Sequence, residues 1–202
     1  MDIKFKKIKY QQISTSHGRN LRLRAEPGVY AWFRDFNLRE YIKDKNGFLN
    51  RIEELLNVNL SDTFHSKIGV LYDVILTEKG GFLTTKKKEL LELICEQEVG
   101  RKLVADIFLT ISEIQSPLYI GKAIDIRSRI TEHITGQSEL SERLLKASID
   151  LNDCYIRVIY FDSNEIKDVI ELLPEKDLDS FVVLIEDLIT RLGPAAFVRR
   201  PG

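Results

Sequence analysis

Two short stretches, PGVYAWF at 27–33 and SPLYIG at 116–121, constrain the fold more than any other part of the chain. Each is a run of β-branched and aromatic residues punctuated by proline and glycine, the pattern of a short buried strand. Between Tyr30 and Tyr119 lie 88 residues, and most of them are patterned as helix. If the two strands pair directly, everything between them is an insertion at a hairpin tip. Loop closure costs little more for a long loop than for a short one, and hairpin tips lie at the surface, so such an insertion is tolerable.

The remaining pattern fits that arrangement. FLNRIEELL has apolar residues at 48, 49, 52, 55 and 56, one face of a helix. The apolar run SKIGVLYDVIL (66–76) also reads as helix. Gly80-Gly81 is a turn, Thr84 or Thr85 can cap a helix through KKKELLELICEQ, and 104–114 reads as another helix. Lys86, Lys87 and Lys88 make a basic cluster at the start of the first of these. After LYIG, Asp125 can cap a helix in which Ile126, Ile130 and Ile134 recur every four residues as one buried stripe. Arg129 and His133 fall together on its flank, at the border of core and solvent. A further helix is expected over 139–149 and a strand over 153–161. Asp179 or Ser180 opens a last helix through FVVLIEDLITRL, with Phe181, Leu184, Ile185, Leu188 and Leu192 as its core face and Glu186 beside it. That helix stops at Gly193-Pro194.

Composition excludes several classes. With 202 residues and 44% hydrophobic side chains, the chain can bury a real core as one domain or as a small domain with a large insertion. No apolar run reaches the roughly 18 residues of a membrane span, and MDIKFKKIKYQQIS lacks the apolar centre of a secretory signal. Cys95 and Cys154 both sit in apolar stretches and read as buried thiols in a reducing compartment. The expectation is a cytoplasmic protein with no membrane partner. Net charge is −1, but residues 1–51 hold twelve Lys/Arg against five Asp/Glu. That local excess can attract a polyanion.

With the insertion cut out, the chain reads PGVYAWF…SPLYIGKAIDIRSRITEH, which resembles the GIY-YIG nuclease superfamily. Gly28-Val29-Tyr30 stands for the first tripeptide and Tyr119-Ile120-Gly121 matches the second. Lys122 matches the lysine common after it. Arg129 falls at the family's helix arginine, ten residues after Tyr119. His133 lies one turn further on. Glu186 resembles the metal-binding glutamate, eight residues before Pro194. Two departures stand out: the 88-residue gap, and Phe197 where the family tends to carry an asparagine. The resemblance covers about half the chain. It implies an α+β fold, a small three-stranded mainly antiparallel sheet flanked by helices, with a large helical insertion between the first two core strands. Residues 1–35 would form an N-terminal extension and first strand, 36–115 the insertion, and 116–202 the rest of the core.

The resemblance also implies a chemistry. The site would be Tyr30, Tyr119, Lys122, Arg129, His133 and Glu186, with Glu186 holding Mg²⁺ (or Mn²⁺). Mg²⁺ is bound by one or two carboxylates plus substrate phosphate, so a single glutamate suffices. Arg129 can clamp a phosphate oxygen. Tyr30 or Tyr119 would be the general base, with Tyr30 favoured. A phenol's pKa near 10 must be lowered for that role, by a cation such as Lys122 or by the metal. His133 would orient a tyrosine or the water. The expected function is a Mg²⁺-dependent endonuclease acting on double-stranded DNA, most like the stand-alone restriction or phage-defence enzymes of the superfamily. The insertion would supply base contacts or a homodimer surface. The alternative is an inactive binding or interaction module on the same fold.

Overall fold

The computed structural model describes residues 6–14, 23–57, 64–68, 72–76, 83–162, 164–172 and 178–192. The chain divides into two compact units, one of 1–34, 116–144 and 150–202, the other of 35–115 and 145–149.

The first unit is α+β. Among the described residues its sheet has four strands, β1 (Lys6–Lys9), β2 (Gly28–Arg34), β5 (Tyr119–Ala123) and β6 (Cys154–Tyr160), in the order β1-β6-β2-β5, every pair antiparallel. The sequence pointed to three. The fourth, β1, is KKIK, whose one apolar side chain, Ile8, pairs with Ile156 and is fully buried. One apolar residue in four gives no alternation to read. Strands β2 and β5 pair in the register Tyr30↔Gly121 and Trp32↔Tyr119. The 35–115 segment therefore leaves the end of one strand and returns at the start of the other.

Helices cover both faces of this sheet. Side chains alternate along a strand, so Tyr30 and Trp32 point one way and Val29 and Phe33 the other. On the Tyr30 side lies α5 (Ile126–Ile134), started by the Asp125 carboxylate, which accepts from the Ser128 amide at 2.9 Å. The helix α6 (Glu139–Lys146) follows. On the Val29 side, α7 (Asn164–Glu171) and α8 (Leu178–Leu192) pack Ile166, Val182, Ile185 and Ile189 with Val29 and Phe161. The expected core face of α8 is thus rotated. Val182 is buried, while Leu184 and Leu188 are exposed. Leu192 and the Gly193-Pro194 stop lie outside the described side chains.

The second unit holds α2 (Lys45–Leu56), α3 (Thr85–Cys95), α4 (Glu98–Ser112) and a hairpin of β3 (Phe64–Ile68) and β4 (Tyr72–Leu76). The hairpin corrects the helix expected over 66–76. Its core is Leu38, Phe48, Ile52, Leu55, Cys95 and Ala105. Arg101 is buried and donates to the carbonyls of Ile42, Cys95 and Glu96 at 2.5, 2.6 and 3.1 Å, tying down the end of α3. Gly100 makes the corner possible: a Cβ there would lie 1.8 Å from the Ile94 carbonyl oxygen. Lys88 of the basic cluster pairs with Glu53 at 2.6 Å. Among the described residues no helix is long and apolar enough to cross a membrane.

Candidate active site

Four of the six residues singled out from the sequence meet on the Tyr30 side of the sheet. Tyr30 comes from the central strand β2, Tyr119 from the edge strand β5, and Arg129 and His133 from α5. The ring centroids of Tyr30 and Tyr119 lie 6.1 Å apart, and His133 lies 5.6 and 5.5 Å from the two. Gly121 is what allows this packing. A Cβ there would fall 2.6 Å from the Tyr30 hydroxyl oxygen and 2.6 Å from the Tyr119 ring. The glycine of the second tripeptide is therefore the floor on which both phenols rest.

His133 corrects the sequence expectation of a border position. It is fully buried, whereas Ile134 is half-buried. A helix turns once per 3.6 residues, so the core row runs 126, 130, 133 rather than 126, 130, 134. A buried imidazole needs a partner for each nitrogen. Nε2 lies 2.6 Å from the Tyr30 hydroxyl and Nδ1 lies 2.7 Å from Ser138 Oγ. Ser138 Oγ is in turn 2.9 Å from Ser141 Oγ, which donates to the His133 carbonyl at 2.7 Å.

One placement of protons fills all four contacts. The Ser141 proton is committed to the carbonyl, which can only accept. Ser138 must then give its proton to Ser141 and accept from Nδ1–H. That leaves Nε2 bare, and Tyr30 donates to it. The serines therefore fix the tautomer in which His133 is a base aimed at the Tyr30 proton. Burial, and after it the Arg129 charge, push the His133 pKa down from 6.5 to about 4, so the ring is neutral at physiological pH. Ser138 and Ser141 were not singled out from the sequence. Their only signal was an S-x-x-S at the start of a helix soon after His133.

The pKa of Tyr30 moves opposite to the expectation. Burial and the neighbouring Tyr119 phenol raise it far above the ordinary tyrosine value, and Arg129 lowers it by less. The cation beside the phenols is Arg129 and not Lys122. Arg129 is half-buried, pairs with Glu132, and interacts with both Tyr30 and Tyr119. Tyr30 therefore rests as a phenol, hydrogen-bonded to His133.

Lys122 and Glu186 form a second group. Lys122 is one residue past Gly121, so its side chain leaves β5 on the opposite face. Its ammonium lies 3.6 Å from Asp179 of α8. Glu186 is half-buried on the same helix. Burial raises its pKa, Lys122 opposes that, and Asp187 adds to it. Because β5 is the sheet edge, the two groups flank one strand from its two faces. Among the described residues no three His, Cys, Asp or Glu cluster as a ready-made metal cage. Glu186 nevertheless suits a hard divalent cation: its carboxylate is partly desolvated, and Mg²⁺ takes oxygen donors few at a time. Phe197 lies outside the described residues.

Comparison with protein-family models finds no match, and neither does comparison with curated proteins or with solved structures.

Proposed function

We propose that the chain is a GIY-YIG-type endonuclease that hydrolyses phosphodiester bonds of double-stranded DNA with Mg²⁺ or Mn²⁺, in a restriction or phage-defence role. The observation that carries this reading is the Tyr30–His133 hydrogen bond of 2.6 Å to a neutral imidazole whose other nitrogen is locked by Ser138. A phenylalanine at 30 would leave Nε2 unsatisfied, but two apolar side chains could replace the pair at little cost, so the presence of both favours a proton-handling role.

The proposed chemistry follows from the residues. Hydrolysis needs a proton taken from the attacking water and neutralisation of charge building on the phosphoryl oxygens. Tyr30 accepts the water proton as it passes its own to His133 Nε2. The imidazolium, disfavoured at rest by burial and the Arg129 charge, forms once a substrate phosphate offsets that charge, and Ser138 holds it through Nδ1–H. Tyr119, less buried than Tyr30, lines the approach. Arg129, between the phenols and solvent, offers its guanidinium to a non-bridging oxygen. Glu186 would hold the divalent ion, which supplies charge neutralisation at the scissile phosphate when bound.

Incubation with methylated and unmethylated plasmid in the presence of Mg²⁺ tests the reading. Discrete bands or defined nicks are expected. Glu186→Gln should abolish cutting while leaving gel-shift affinity near that of the wild type. A mutant that still cuts at more than about a tenth of the wild-type rate contradicts the metal role, since loss of such a group typically costs 10²-fold or more.

A further inference from the structure

Lys7 of β1 and Arg157 of β6 are direct partners in the antiparallel register. Side chains placed this way share a face of the sheet, with Cβ atoms about 4.5–5.5 Å apart, and like charges so placed repel. Neither cation makes an ion pair among the described residues. Both lie instead against aromatic rings. The Lys7 ammonium is 3.9 Å from the centroid of Tyr155, and the Arg157 guanidinium is 5.0 Å from that of Phe33 and 5.8 Å from that of Tyr155. The two rings are themselves stacked, 5.2 Å apart and 10° from parallel. Both rings are buried, whereas Lys7 is exposed and Arg157 half-buried. The rings thus make a floor under two cations. Arg24 shows the ordinary alternative: it lies 3.9 Å over the Tyr160 ring, but Asp162 neutralises it. A like-charge pair with no carboxylate is a cost to the protein alone, and an anion between the two cations removes it.

We infer that Lys7 and Arg157 form a phosphate-binding pair that grips the DNA backbone away from the scissile bond. The inference deepens the nuclease reading and rests on it for the identity of the polyanion. Both side chains leave the sheet on the Val29 side, the side of Lys122 and Glu186. In the order β1-β6-β2-β5, β6 is the second strand from β5 and β1 the third. Strands lie about 4.8 Å apart, so the pair stands roughly 10–15 Å across the sheet from β5. A DNA strand rises about 3.4 Å per nucleotide, so the gripped phosphate is about three or four nucleotides from the one at Glu186. The Arg157 guanidinium, resting on a ring, keeps its planar fork of N–H donors for phosphate oxygens. Such contacts fix the position of a duplex and carry no sequence information.

The test measures binding of a labelled duplex to the full chain without Mg²⁺ over a salt series, with thermal melts of the same preparations. Lys7→Glu turns the repelling pair into an attracting one. It should melt no lower than the wild type, yet bind DNA about tenfold or more weakly, with a salt slope shallower by about two. Arg157→Gln should make the slope shallower by about one, equally on duplexes of unrelated sequence. Unchanged affinity and slope in both variants overturn the inference; cutting by the wild type would then leave the nuclease reading standing. Lower melting of Lys7→Glu with unchanged affinity makes the pair a lid over Tyr155 and also overturns it. If Lys7→Glu lowers both, the Arg157→Gln slope decides, and an unchanged slope overturns the inference. The expected binding losses in a protein that never cuts with Mg²⁺ or Mn²⁺ would sustain the phosphate pair and overturn the hydrolysis. A wild type that does not bind DNA overturns both.

Discussion

His133 is the residue on which the site turns, and its burial has a thermodynamic signature. An unfolded histidine takes up a proton near pH 6.5, whereas the folded one does so only near pH 4. Between those values the unfolded chain binds the extra proton, so stability falls as pH is lowered from about 6.5 to about 4, by on the order of 3 kcal/mol in all. Denaturant titrations across that range should show the slope, and His133→Gln should flatten it. Ser138→Ala removes the acceptor for Nδ1–H and should slow cutting. Ser138→Thr keeps the hydroxyl and should recover most of the rate. If alanine and threonine behave alike, the hydroxyl does not set the tautomer. Arg129→Lys keeps a charge but loses the planar fork, so its cutting should stay severely impaired. Near-normal cutting by that variant would reduce Arg129 to a general attractor of phosphate.

At the scale of elements, the packing of the two phenols over the β2–β5 pair depends on Gly121. Gly121→Ala must push aside two aromatic rings or bend the edge strand. A loss of roughly 1–3 kcal/mol in stability is expected, as for other overpacked cores, with cutting lost even where the protein stays folded. Thermal melts and cleavage on one preparation separate the two effects. This element was readable from sequence because strand, glycine and the following helix each leave a local mark. The 66–76 segment was misread because its apolar run shows neither clean alternation nor a helical period. Its Val, Ile and Tyr content and its interior glycine were the better guides. The α8 face was misplaced because its apolar residues surround the helix too fully for a single stripe to stand out. Tyr30, Tyr119, Arg129 and His133 could be found as residue types at set spacings. What joins them could not, because the serine relay depends on where α6 returns beside α5.

For the whole molecule, the sheet gives the scaffold and Tyr30 and Tyr119, α5 and α8 on its two faces carry Arg129 with His133 and Glu186, and residues 35–115 are inserted in the chain between β2 and β5. A basic N-terminal quarter in an otherwise acidic chain should make affinity for DNA fall steeply with salt. A flat response between about 50 and about 200 mM salt would argue against a phosphate backbone as the ligand. The central claim is that Tyr30, held by a neutral His133, is the proton acceptor of a metal-dependent phosphodiester hydrolysis. Its most direct test is single-turnover cleavage of bound DNA with saturating Mg²⁺, comparing wild type with Tyr30→Phe, a change that keeps the ring and removes one oxygen. The account predicts a fall of at least about 10²-fold in rate with binding unchanged. Equal rates for the two proteins, or no cleavage by the wild type with Mg²⁺ or Mn²⁺, would contradict it.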